Sequence, residues 1–250
     1  MHIKHLLFVT GFFSGSVFAD TTLVYNNKDG QENTRMFLSD GLVKITNQDQ
    51  INTAIVFDTK KTAFTIINHQ EKSYMVFGEK ELEALGDVSK MMDKIINEQM
   101  AQLPESQRAQ MRSMIESMVK KQMPKQAPLP NYKKSGQTDS YNGFSCDVVV
   151  KEVNGQSDGS FCVTDYQKLG VATAEYNTIR DFMKIAEKMA AQLGQDQSMN
   201  FDSIGQVLPV YYEMGGNTAY LTEVNNDALP SQTFQVPTDY KKESLPKELF

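Results

Sequence analysis

The run EKELEALGDVSKMMDKIINEQMAQLPESQRAQMRSMIESMVKKQM, Glu79–Met123, carries seven of the fourteen methionines in a chain of 250 residues. Val88, Met91, Met92, Ile95, Ile96, Met100 and Leu103 recur at helical steps, with Asp93, Lys94, Glu98 and Gln99 on the far side. Pro104 interrupts this pattern and suits the first turn of a second helix, where a missing amide donor is no loss. Met111, Met114, Ile115 and Met118 then line one face, so the spacing predicts a helical hairpin. What these methionines face decides between filling a core, lining an apolar groove and holding a soft metal.

The residues before this run read as an antiparallel meander. Strands are expected over Thr21–Asn26, Thr34–Ser39, Leu42–Thr46, Thr53–Phe57, Thr62–Asn68 and Ser73–Phe77. Asp40-Gly41 between the second and third is the strongest hairpin signal in the chain. In Ser73–Phe77 both faces are bulky, Tyr74 and Val76 against Met75 and Phe77. A strand apolar on both faces needs cover on both sides, and the Met-rich hairpin is the nearest candidate.

Beyond it, Pro124, Pro128 and Pro130 mark residues 124–140 as a Pro-rich linker. A hairpin follows, with arms Phe144–Val153 and Gly159–Thr164 turning near Asn154-Gly155. Cys146 and Cys162 are equidistant from Asn154, so they are expected to face each other as a disulfide. Closing a loop of about 17 residues stabilises a fold by roughly 3 kcal/mol. Ala174–Leu193 has an apolar stripe that includes Tyr176, Ile179, Phe182, Met183 and Met189, and stops at Gly194. Strands Val207–Met214 and Thr218–Val224 flank Gly215-Gly216. There is no internal repeat.

Residues 1–19 have the form of a secretory signal peptide. A short basic start is followed by the apolar run Leu6–Val17, and Val17-Phe18-Ala19 fits cleavage after Ala19. The run is too short and too broken by glycine and serine to anchor in a membrane, so no transmembrane segment is expected after cleavage. From Asp20 onward 24 Lys and Arg face 31 Asp and Glu, a net charge of −7, which disfavours nucleic acid as a partner. The length from residue 20 to residue 250 suits a single domain.

Catalytic signatures are absent: there is no G-x-S-x-G, no phosphate loop, no G-x-G-x-x-G and no H-E-x-x-H. His69 is the one histidine after Ala19, in a polar turn, so neither a multi-histidine zinc site nor any cofactor is expected. A carboxylate hydrolase is the weakest alternative, because no carboxylate spacing recommends it. Met111, Met114 and Met118 would offer thioethers to Cu(I), but the same spacing suits core packing or a lining for flexible acyl chains.

The segments Tyr141-Asn142-Gly143-Phe144-Ser145-Cys146-Asp147-Val148, Asp165-Tyr166-Gln167-Lys168-Leu169-Gly170, Leu208-Pro209-Val210 and Phe234-Gln235-Val236-Pro237 resemble a family of bacterial periplasmic proteins of unknown function. The architecture of that family looks like the lipoprotein-carrier half-barrel, LolA/LolB-like. The resemblance implies periplasmic localisation and an α+β domain over residues 20–250, a curved antiparallel sheet with helices on its concave face. It implies no catalytic residue. The expected function is non-enzymatic binding of a lipid or acyl chain, with Phe64, Ile66, Met111, Met114, Met118, Phe182 and Met189 as candidate lining. The alternative is an envelope protein that docks on a protein partner through the Met-rich hairpin.

Overall fold

Two meanders meet edge to edge, the first built from short turns and the second carrying a helix between two of its strands. In the first, β1 (Thr21–Asn26), β2 (Glu32–Ser39), β3 (Leu42–Asn47), β4 (Thr53–Asp58), β5 (Ala63–Asn68) and β6 (Ser73–Phe77) pair in chain order. The β2–β3 turn shows why: Asp40 and Gly41 both have positive φ, 47° and 82°, as a two-residue hairpin turn requires. A Cβ on Gly41 would also meet the Thr59 hydroxyl at 2.7 Å. The second meander is β7 (Asn131–Tyr141), β8 (Phe144–Val153), β9 (Gln156–Asp165), β10 (Val207–Met214) and β11 (Asn217–Asn225). Antiparallel pairing of β1 with β11 joins the two, and β12 (Lys241–Lys242) lies parallel to β6, giving a twelve-stranded mixed sheet. The computed structural model describes residues 20–78, 130–192 and 199–243, with isolated positions at 80–81, 97, 104 and 128.

One helix of defined length, α1 (Thr173–Gln192), connects β9 to β10 among the described residues. The turn Tyr166–Leu169 leads into it, capped by the Asp165 carboxylate on the Gln167 amide, and ends at Gly170 with φ 74°. Tyr166 stacks on Tyr176 at 4.4 Å, which seats the first turn of α1. The helix packs across β2 and β3, its stripe of Tyr176, Ile179, Phe182 and Met189 against the main core. That core takes Leu23, Leu38, Val43 and Phe57 from the first meander and Cys162, Val210 and Leu221 from the second. Each such side chain is almost fully enclosed, and burying one stabilises by roughly 1.5–3 kcal/mol.

Two smaller clusters lie under extended chain. Tyr132, Val149, Phe161 and Val163 are capped by Phe201 from the coil before β10. Ala54, Val56 and Ile67 are covered by Phe234, Val236 and Tyr240 of the C-terminal segment. Strand alternation puts this third cluster on the face opposite Phe57 and Phe64.

The expected half-barrel with several helices on its concave face is therefore wrong. Of the described residues 51% are strand and 16% helical, and the sheet has twelve strands, one of them parallel. The apolar strand faces are covered by one helix, by coil and by the C-terminal segment, not by a layer of helices. The Met-rich run expected to provide that layer lies, isolated positions apart, outside the described residues. The expected linker over residues 124–140 is also corrected, because Asn131–Tyr141 is the edge strand β7. The Cys146–Cys162 disulfide is present, with Cα atoms 5.3 Å apart. The cysteines are diagonal neighbours, not directly opposed, since Cys162 pairs with Val148. A register shift after Lys151 accounts for part of this offset.

Candidate functional site

Between β2 and β6 the pairing has no bulge, so side chains on one face can be followed strand by strand. On the face that meets α1, the first cross-strand row is Leu38–Val43–Phe57–Phe64–Phe77. Phe182 closes this row, with ring centroids 5.8 Å from Phe57 and 5.9 Å from Phe64. The next row, two residues along each strand, is Met36–Ile45–Ile55–Ile66–Met75. Met36 is buried, whereas Ile45, Ile55, Ile66 and Met75 are only partly covered. A third row, Thr34–Asn47–Thr53–Asn68–Ser73, is polar throughout. The face thus grades from an enclosed row rich in phenylalanine through a half-buried aliphatic row to a polar border.

The residues nominated from sequence divide accordingly. Phe64, Phe182 and Met189 come together in the main core, where the first two are 8% and 9% exposed and serve as packing. Ile66 sits in the half-buried aliphatic row. Met111, Met114 and Met118 lie outside the described residues, and so does the Cu(I) reading that depends on them. Sequence reasoning missed Ile45, Ile55 and Met75 as companions of Ile66. Their neighbourhood depends on register between strands, for which a single strand's pattern carries no signal.

Three other concavities among the described residues are polar or too small for an acyl chain. A pocket of about 20 Å³ beneath α1, between Ile179, Met183 and Leu208, has room for little more than one water. Grooves of about 400 Å³ beside Lys134, Asp147 and Lys168, and about 260 Å³ beside Asn27, Glu32 and Asn217, are lined largely by polar groups. At the β10–β11 end, Tyr141 stacks on Tyr211 at 4.5 Å and Tyr220 tilts against both. Desolvation and the hydrogen bond that Tyr211 donates to Glu213 push the Tyr211 hydroxyl up to about 12, so it stays protonated at neutral pH.

His69 is half-buried, with Nδ1 2.8 Å from the Tyr240 hydroxyl and its ring edge-on to that tyrosine. It ties the C-terminal segment to the β5–β6 turn. Among the described residues no group of three or more His, Cys, Asp or Glu could hold a metal ion. No described helix is long and apolar enough to cross a membrane.

No family model matches the chain, and no curated protein matches it. Two solved crystal forms of PNGF-II align over 90% of this chain with TM-scores of 0.39, at 8% and 11% sequence identity. The chain spans 31% of the length of PNGF-II. Scores this low do not equate two folds, and these comparisons do not show a lipoprotein-carrier family.

Proposed function

We propose that the protein is an exported, non-enzymatic binder of a linear apolar ligand, an acyl chain, seated along Met36–Ile45–Ile55–Ile66–Met75. The observation that carries this reading is a continuous aliphatic row, half-buried along most of its length, beside an enclosed row rich in phenylalanine. Four inter-strand steps of about 4.8 Å make the row about 19 Å long, the scale of an extended long acyl chain. Each methylene laid against it contributes up to ~0.8 kcal/mol when fully buried. The Thr and Asn row along its margin offers hydrogen-bonding groups for a polar head. Export is supported by the signal-like first nineteen residues, and the disulfide is of the kind that persists in oxidising compartments.

The test uses the chain from Asp20 and a fluorescent fatty acid. Ile66→Asn, on the row, should weaken binding at least tenfold, while Thr65→Asn, on the opposite face of the same strand, should leave it unchanged. Absence of any binding, with no lipid in solvent extracts of the natively exported protein, would sink the proposal. Equal loss in both variants would move the ligand elsewhere.

A further inference from the structure

Glu175 is a carboxylate in an unusual place. It lies in the first turn of α1, is 2% exposed, and its Oε2 has no hydrogen-bond partner among the described residues. A buried acceptor left without a donor is costly, and more so when it is charged. The partial positive charge of the helix N-terminus and the residue's own amide offset only part of that. The neighbouring charge makes matters worse: Asp20 and Asp40 both act on Glu175 as like charges.

Asp20 is held there by several contacts. Pairing of Thr21 with Leu38 brings it beside Ser39, whose hydroxyl donates to Asp20 Oδ1 at 2.5 Å. The Leu229 amide donates to Asp20 Oδ2, also at 2.5 Å. Thr21 Oγ1 donates to Asn226 Oδ1, and Asn226 Nδ2 donates to the Gly170 carbonyl just ahead of α1. Asp40 has a cation of its own, Lys60 Nζ at 2.7 Å. The Thr21–Asn226–Gly170 contacts thus bring the start of β1 to the start of α1, where Asp20 and Asp40 add like charge around Glu175, and among the described residues Glu175 has no ion-pair partner.

We propose that the missing cation is the α-ammonium of Asp20 itself, created when the segment before it is removed, so that processing completes the fold with a Glu175 ion pair. This rests on the export reading of residues 1–19 and is independent of the apolar ligand. Hydrolysis of the Ala19–Asp20 amide by an envelope peptidase consumes one water. It leaves a carboxylate on Ala19 and an amine on Asp20, which takes up a proton. In the unprocessed chain the same nitrogen is a neutral amide and carries no charge to set against the carboxylate.

The experiment compares chains beginning at Asp20 with chains that keep a Gly-Ser dipeptide before it, each with Glu175 and with Glu175→Gln. The native Asp20 terminus should raise Tm by about 2–4 °C over the extended form. In Glu175→Gln the two forms should melt together. The Asp20 amine, followed by NMR, should titrate above the ordinary range of about 7.7–8.0. Equal melting of the two Glu175 forms, a gap that persists in Glu175→Gln, or an ordinary amine titration overturns the pair. The amine titration also decides the matter if Glu175→Gln fails to fold. The mass of the natively exported protein reads processing separately: a terminus other than Asp20 overturns the processing step, whereas failure of the melting gap overturns the pair alone.

Discussion

Lys151 is the clearest case of a residue whose environment contradicts its type. It is fully buried on β8, with its ammonium 3.4 Å from Asp158 Oδ2 and 3.6 Å from Met214 Sδ. Lysine is among the residues least often enclosed unless paired, and nothing in Val148-Val149-Val150-Lys151-Glu152 marks this one as interior. A buried pair is weak evidence of stability, because an apolar replacement of similar volume often serves as well. Removing one partner is worse, since it strips the remaining charge. Asp158 is half-exposed at 52%, so Asp158→Ala should cost about 1–2 kcal/mol, below the 3–5 kcal/mol of a fully buried pair. Lys151→Met should cost less than Asp158→Ala. Urea unfolding of the two variants checks this, and the reverse order would mean the ammonium contributes more than its packing. The candidate row shows a similar limit on reading residues singly. The apolar character of Phe64, Ile66, Phe182 and Met189 is legible in the sequence. That Phe64 is enclosed while Ile66 is partly open depends on where Phe182 of α1 comes down on the sheet.

Elements with apolar alternation or a strong turn dipeptide were legible. β1, β6, β8 and β10 have the expected bounds, and α1 begins one residue earlier than expected, its expected last residue, Leu193, lying outside the described residues. β7 was not legible, for a physical reason. As an edge strand exposed along most of its length it buries only Tyr132, so its sequence, Asn-Tyr-Lys-Lys-Ser-Gly-Gln-Thr-Asp-Ser-Tyr, shows no apolar period. Lys133, Lys134 and an irregular stretch near Gly136 also suit an edge that must not pair with another chain. The Asn142-Gly143 turn, with φ of 50° and 86°, was the available sign that a strand precedes β8. The expectation that Ser73–Phe77 needs cover on both faces is sound physics with a different cover. Phe77 packs on the main core and Tyr74 lies under the C-terminal segment. Its anchors include Phe234 and Val236 on the third cluster, Tyr240 on His69, the Lys44 ammonium on the Thr233 carbonyl, the exposed Lys72–Asp239 pair and the β12–β6 pairing. Phe234 is partly exposed, so Phe234→Ala should cost roughly 2 kcal/mol, less than the 3–5 kcal/mol of an enclosed phenylalanine. It should also speed exchange of the β12–β6 amides ahead of the rest of the sheet, as read by hydrogen exchange. Uniform acceleration across all strands would show that the segment is part of the global unit.

At the scale of the molecule the decisive contact is the join of β1 to β11, which unites residues from opposite ends of the chain. Each meander alone would leave one of these strands as a bare edge, and neither holds the whole main core. Leu23 and Tyr25 of β1 and Ala219 and Leu221 of β11 are all enclosed in that core, and Tyr25 donates its hydroxyl hydrogen bond to the Pro209 carbonyl across the join. α1 belongs to the second meander in sequence yet packs on β2 and β3 of the first. A core that crosses the join in three ways should make the two meanders unfold as one. The prediction is a single urea transition for the disulfide-bonded chain, superimposable by far-UV circular dichroism and by tyrosine fluorescence, the chain having no tryptophan. Leu221→Ala, at a fully enclosed position, should lower stability by about 2–5 kcal/mol and shift the midpoint of both probes together, with the denaturant slope unchanged. If the join were instead a loose contact between two independent sheets, the same substitution would split the probes. Far-UV signal from β1–β6 would persist while the tyrosines of β10 and β11 were already exposed. Coincident shifts and split transitions therefore separate one cooperative twelve-stranded unit from two abutting ones, and the enclosed residues on both sides of the join favour the former.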